Sequence, residues 1–242
     1  LFNNNNLIKD KNFKSERGVG TPLPAVKIYN LREVDELIFL DVSATNNKKE
    51  PNYELISEIS KHCFVPLTVG GGIYYLDQIE KLLSCGADKV SINTKAINDM
   101  FFLKEACNIF GKQCITISID YKYNSKNEPI VWTNSGFVNT SKNLIDVLQD
   151  LNFIKVGEIL LTNIELDGTF LGFDIDLYKK VVSLVDFPVI ASGGAGELSD
   201  FVKLVKETDV SAMAAASIFH FTEITPLDVK KELIKNNIKM RV

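Results

Sequence analysis

Seven short β-branched or Leu-rich runs recur along the chain, at residues 36–42 (ELIFLDV), 66–71, 89–93, 115–120, 158–164, 188–194 and 212–217. Each is too short for a buried helix and reads as a β-strand covered on both faces. Between them, apolar positions fall three and four apart, most clearly at 76–84 and 198–206, and predict helices packed on those strands. Strand and helix in alternation predict an α/β fold with a parallel sheet. A closed (β/α)8 barrel, the TIM barrel, needs one strand more than these seven, and this reading places it just before Leu1.

The pattern repeats. ELIFLD at 36–41 matches EILLTN at 158–163, and PLTVGGG at 66–72 matches PVIASGG at 188–194; 158 − 36 and 188 − 66 are both 122. The chain is therefore read as one domain, 1–242, made of two half-barrels at about 1–114 and 115–242. The same offset puts the partner of the 115–120 strand at or before Leu1. Residues 122–140 (KYNSKNEPIVWTNSGFVNT) are polar and turn-rich around a short apolar run, and predict a hairpin excursion over the barrel mouth. The Asn run at 3–6 reads as a loop.

Composition narrows the function classes. The 242 residues are 45% hydrophobic and 24% charged, with a net charge of −4. A pI near 5.4 leaves no basic stripe for nucleic acid, so any bound anion should be small and locally cradled. Cys63, Cys85, Cys107 and Cys114 form no C-x-x-C pair and read as reduced core thiols of a cytoplasmic protein. His62 and His220 share no ligand spacing with each other or with a cysteine, so no metal and no cofactor is expected. Neither a signal peptide nor an 18-residue apolar run is present, although the first residue is Leu rather than Met.

Two glycine loops stand out, Gly70-Gly71-Gly72 and Ser192-Gly193-Gly194 running on to Gly196, each between a predicted strand and a predicted helix. Such glycines serve as tight turns, or they let backbone N–H groups approach an anion. Their equivalence in the repeat favours phosphate, with Asn93 and Thr94 completing one cradle and Ala216 and Ser217 the other. Two cradles across one mouth imply a substrate with a phosphate at each end. Asp120 ends its strand at the mouth and suits acid/base work, or else anchors Lys122. Asp41 ends its strand likewise, and Asp167-Gly168-Thr169 lies after the sixth strand; both suit substrate hydroxyls or a protonated imine. Glu36, Lys89 and Glu158 begin what read as neighbouring strands on the opposite rim, where charges commonly form solvated stability pairs.

Taken together, the strings DELIFLD (35–41), PLTVGGGI (66–73), GADKVSINTKA (86–96), GEILLT (157–162), DGT (167–169), PVIASGGAG (188–196) and AAASIFHF (214–221) resemble the HisF family, the cyclase subunit of imidazole glycerol phosphate synthase, over essentially the whole chain. The resemblance implies a barrel that takes ammonia from a HisH-type glutaminase docked on its N-terminal face and uses it at the mouth. It implies that Glu36, Lys89 and Glu158 form a charged ammonia gate, that Asp88 and Gln113 face the glutaminase, that Lys9 and Thr162 belong to the mouth, and that Asp120 is one of two catalytic aspartates. The place of the other aspartate holds Leu1, which exchanges no protons. LFNNNNLIK, AVKIYN and REVDELIFLD look like a paralogous branch acting on surface-glycan sugars.

Three functions remain open at this point. One is the histidine-pathway cyclase, converting a bis-phosphorylated ribulosyl formimino-aminoimidazole-carboxamide ribotide to imidazole glycerol phosphate and the aminoimidazole carboxamide ribotide. Another is ammonia-dependent amidation or amidination of a glycan sugar, which one carboxylate could serve. The third is a non-catalytic barrel that activates a glutaminase.

Overall fold

The computed structural model describes residues 1–3, 6–14 and 17–240. Strands β1 (Phe2–Asn3), β2 (Asn6–Lys9) and β3 (Arg17–Gly20) form a small antiparallel sheet, which the apolar pattern did not disclose because none of its strands exceeds four residues and each mixes apolar with polar positions or glycine. Of the Asn run read as a loop, Asn3 and Asn6 are paired strand residues, and Asn4 and Asn5 lie outside the described residues.

Helix α1 (Pro22–Leu31) leads into β4 (Leu37–Leu40), α2 (Tyr53–Ser60), β5 (Leu67–Gly70), α3 (Leu76–Ser84), β6 (Lys89–Ile92), α4 (Thr94–Asn98) and α5 (Met100–Phe110). A 3₁₀ turn at Lys112–Cys114 precedes β7 (Ile115–Tyr123), which continues past Asp120 to pair with β8 (Pro129–Thr133). β8 pairs in turn with β9 (Val138–Asn143). The excursion is thus two successive hairpins rather than one. The second half runs α6 (Leu144–Ile154), β10 (Glu158–Asn163), α7 (Ile175–Val182), β11 (Val189–Ser192), α8 (Leu198–Glu207), β12 (Ala212–Ala214), α9 (Ser217–Phe221) and α10 (Pro226–Lys235).

Seven strands lie parallel in the order β12-β11-β10-β7-β6-β5-β4, giving the curled sheet of a (β/α)8-type barrel. The repeat holds in three dimensions: β5 and β11, and α2 and α7, have boundaries 122 residues apart at both ends. Local chemistry starts the helices where the pattern says. Asn52 caps α2 by accepting from Leu55 N–H, Asp174 caps α7 by accepting from Leu177 N–H, and Thr225 with Asp228 closes a reciprocal cap on α10 ahead of Pro226.

Strand alternation sorts the side chains. Val90, Ile92, Ile115, Ile117, Ile119, Ile159 and Leu161 belong to the hydrophobic core, whereas Ser91, Asn93, Ser118, Asp120, Leu160 and Thr162 line the central cavity. β5, β6, β7, β10 and β11 are covered on both faces, as expected, with one face largely polar, whereas the edge strands β4 and β12 are only partly buried because, among the described residues, each lacks a neighbouring strand on one side. Fully buried Tyr178 ties two strands together, its hydroxyl 2.8 Å from Leu161 O, 3.0 Å from Ser192 O and 2.9 Å from Ser192 N.

β4 and β12 are the sheet edges among the described residues, and Phe2 makes a parallel bridge to Asp41 beside β4. The first and last thirds of the chain also meet through side chains. Tyr29 Oη lies 2.9 Å from His220 Nε2, Arg32 donates to Phe219 O at 3.1 Å, and Lys230 pairs with Asp35 at 2.9 Å. His62 sits instead 3.5 Å from Glu58, so the two histidines have separate partners. The four cysteines are free, but half-buried rather than core: three pack against the core from helix ends and loops, where a thiol is only partly covered. Among the described residues no helix is long and apolar enough to cross a membrane.

Candidate active site

A cavity of about 1290 Å³ runs along the inside of the sheet from the glycine loops to the opposite rim, and is also lined by the sheet edges β4 and β12 and by residues of the outer helices such as Val26, Phe201 and Val229. At the mouth, the loops obey one geometry twice. Gly71 (φ +109°) and Gly193 (φ +92°) occupy the left-handed region, and a Cβ would lie 2.2 Å from Asp41 O at the first and 2.7 Å from Asn163 O at the second. Gly72 and Gly194 also have positive φ and also abut backbone carbonyls. Glycine is therefore required here by conformation and close approach alone. Asp41 and Asn163 are themselves 122 residues apart. Each turns its loop by accepting two backbone N–H groups through Oδ1, from Ser43 and Ala44 in one case and from Glu165 and Leu166 in the other. Asn163 stood in the aligned repeat but lacked a charge to mark it.

Both loops face the cavity: Gly71, Gly72, Asn93 and Thr94 on one side, Ser192, Gly193, Gly194, Ala216 and Ser217 on the other. Gly70 does not line the cavity; a Cβ there would lie 2.6 Å from Ser91 O. Thr169 turns away, with its hydroxyl on Leu166 O, while Asp167 and Gly168 line the cavity.

Asp120 is buried at the end of the cavity-facing row and accepts from Asn93 Nδ2 at 3.1 Å. Burial, and then the charge of Asp167, push its carboxyl up to about 7, against the opposing pull of Lys122 and the Asn93 hydrogen bond. Burial likewise raises Asp167 to about 6, with Lys9 opposing. Lys9 is buried too, and desolvation pulls its ammonium below the usual lysine range although Asp167 and Asp10 resist. A carboxylic acid poised near neutrality and facing a cavity is suited to give and take protons. Lys122 points elsewhere, 3.8 Å above the Trp132 ring and donating to Gly136 O. Leu1 lines the same cavity as Lys9 and Asp167.

At the opposite rim Lys89 Nζ lies 3.1 Å from Glu36 and 3.0 Å from Glu158, so the three predicted charges do converge. Their strands are not neighbours: β5 separates β4 from β6, and β7 separates β6 from β10. Barrel stagger brings alternate strands to one level on the inside. The intervening β7 adds Thr116, whose hydroxyl donates to Glu158 at 2.6 Å and which the charge pattern alone could not reveal. Burial disfavours the Lys89 charge, but the hydrogen bonds and charges of Glu158 and Glu36 outweigh it and raise the lysine. Asp88 and Gln113 are exposed on this rim, and Asp88 accepts from Leu67 N–H at the start of β5. Among the described residues no three His, Cys, Asp or Glu side chains gather as metal ligands.

A parallel α/β barrel with a buried carboxyl raised toward neutrality at its C-terminal mouth has the arrangement of a barrel enzyme. Residues 4–225 match the family of the histidine biosynthesis protein. The chain is 41% identical over 237 residues to the imidazole glycerol phosphate synthase subunit HisF of Clostridium botulinum (strain Alaska E43 / Type E3), covering 98% of this chain and 94% of that one. It is 42% identical to the subunit of the same name from Staphylococcus saprophyticus, with 97% and 94% covered, and 39% identical to that of Lactococcus lactis strain IL1403, with 99% and 93% covered. The chain belongs to the histidine biosynthesis protein family and, within it, to the HisF type.

Proposed function

We propose that this chain is the cyclase subunit of an imidazole-glycerol-phosphate-synthase-type glutamine amidotransferase, working in the cytoplasm with a HisH-type glutaminase on its N-terminal rim. The observation that carries the reading is Asp120, a buried carboxyl poised near neutrality in a cavity flanked by two equivalent glycine loops. Ammonia adds to the ketone of the bis-phosphorylated ribotide, water leaves to form the imine, and ring closure with C–N cleavage releases imidazole glycerol phosphate and the aminoimidazole carboxamide ribotide. Asp120 exchanges protons at the nitrogen. Lys9, Asp41, Thr162 and Asp167 surround the sugar portion, and the loops at Gly71 and Gly193 hold its terminal phosphates. Asp88 and Gln113 meet the glutaminase, and ammonia enters past Glu36, Lys89 and Glu158.

One feature favours a second acceptor: where the HisF resemblance implies a second catalytic aspartate, the cavity is lined by Leu1, which exchanges no protons. Ammonia addition to a sugar acetamido group with loss of water needs only one such group. Purified protein supplied with ammonium salt and either the ribotide or an acetamido sugar separates the two. Release of the aminoimidazole carboxamide ribotide supports the cyclase; turnover of the sugar alone replaces it with the glycan reading.

A further inference from the structure

The turn at 134–137, between β8 and β9, dips into the mouth and is held there by named contacts. Ser135 Oγ donates to Val42 O at 2.8 Å, and Lys122 Nζ donates to Gly136 O at 3.3 Å. Asn134 donates its backbone N–H to Thr94 Oγ1 at 3.1 Å. That hydroxyl lies 3.2 Å from Asn93 Oδ1 and 3.1 Å from Asn134 Oδ1, both acceptors. Thr94 has one hydroxyl proton, so the two amides compete for it. The orientation of Asn93 is not in question. Its amide is 3.0 Å from Ser118 O and 3.1 Å from Asp120 Oδ2, and the first of these accepts only, so nitrogen must face them and oxygen must face Thr94.

We propose that Asn134 is a positioning residue for Asp120: its side chain competes with Asn93 for the Thr94 proton and thereby sets how firmly the Asn93 amide donates to the Asp120 carboxyl. The hairpin turn, 14 positions beyond Asp120 in sequence (134 − 120), is thus coupled to the proton-exchanging group through two intervening side chains. The other charges bearing on Asp120 are Asp167 from the loop after β10 and Lys122 on its own strand, with Lys9 and Asp10 bearing in turn on Asp167. The inference deepens the reading of Asp120 as the proton-exchanging group, yet its test needs neither substrate nor partner, so the two fail separately.

The test is a ¹³C NMR titration of the Asp120 side-chain carboxyl in the full chain, assigned with Asp120→Asn. Asn134 has φ 53°, a conformation that Gly and Asp also tolerate, so Asn134→Gly and Asn134→Asp remove or charge the competing group without forcing the backbone. Asn134→Gly frees the Thr94 proton for Asn93, and Asp120 ionises at lower pH by on the order of half a unit. Asn134→Asp draws the proton away and adds charge, so Asp120 ionises at higher pH. In a Thr94→Val background Asn134→Gly has no further effect, and the shift from Asn134→Asp shrinks to its through-space part. An unchanged Asp120 in Asn134→Gly, or equal shifts with and without Thr94→Val, overturns the proposal. Should the glycine variant not fold, the aspartate pair of measurements decides by the same comparison.

Discussion

Lys89 Nζ lies 3.0 Å from both carboxylate oxygens of Glu158, across the 69 residues that separate two alternate strands of the barrel. A chelated ion pair that is mostly shielded from water holds its geometry, and Glu36 on the far side leaves the lysine between two carboxylates.

Lys89→Ala unites two carboxylates without a cation, and we expect a loss of about 1–3 kcal/mol in urea unfolding. Paired with a glutaminase, the variant should lose glutamine-dependent product at least about tenfold while ammonia-dependent product, reached from solvent at the mouth, changes little. Equal losses in the two assays would mean an ordinary stability defect and end the gate assignment.

Asp120→Asn keeps shape but exchanges no proton, and turnover with free ammonia should fall by at least about 100-fold. A variant running at the parental rate would demote Asp120 to substrate positioning.

The same substitution should alter stability against pH. The Asp120 carboxyl moves from 3.8 to about 7 on folding, so between those values the folded chain keeps a proton that the unfolded chain has lost. Stability therefore declines as pH rises through that window and levels off above it, by on the order of 4 kcal/mol from this group. Asp167, raised to about 6, contributes in the same sense. Chemical denaturation from pH 4 to 8 should show a shallower decline in Asp120→Asn; parallel curves would refute a raised carboxyl.

The glycine loops make a stoichiometric prediction. Calorimetric titration should find two inorganic phosphates per chain, and one each in Gly71→Ala and Gly193→Ala, where a methyl group is forced against Asp41 O or Asn163 O. Each variant should also lose about 2 kcal/mol or more of stability. Two phosphates bound by either variant would separate the loops from anion binding.

Tyr178→Phe should cost about 1–3 kcal/mol, because Ser192 N–H loses its acceptor and the one hydroxyl proton shared between Leu161 O and Ser192 O is lost. A thermal melt within a degree of the parent would show that the strands do not depend on this strut.

The periodic pattern determined the order of strands and helices, and the offset of 122 determined which loops would correspond, since a strand covered on both faces and a glycine forced into positive φ leave their marks on local sequence. Asp120 was legible because a carboxylate at a strand's end is conspicuous among apolar neighbours. Thr116, Tyr178 and Asn134 were not, because a hydroxyl or an amide reads the same whether it meets water or a buried partner. The small sheet β1-β2-β3 and the second hairpin after Asp120 were obscured for a different reason: their strands are short, and β3 and β9 are mostly exposed, so pairing rather than a period of burial defines them. The tertiary structure alone decided that Lys89 reaches across alternate strands, that Asp167 lies close enough to raise Asp120, and that the 134–137 turn returns to Thr94. Each of these depends on strand stagger and on how far a carboxyl is removed from solvent, which are properties of the folded sheet that no local stretch of residues contains.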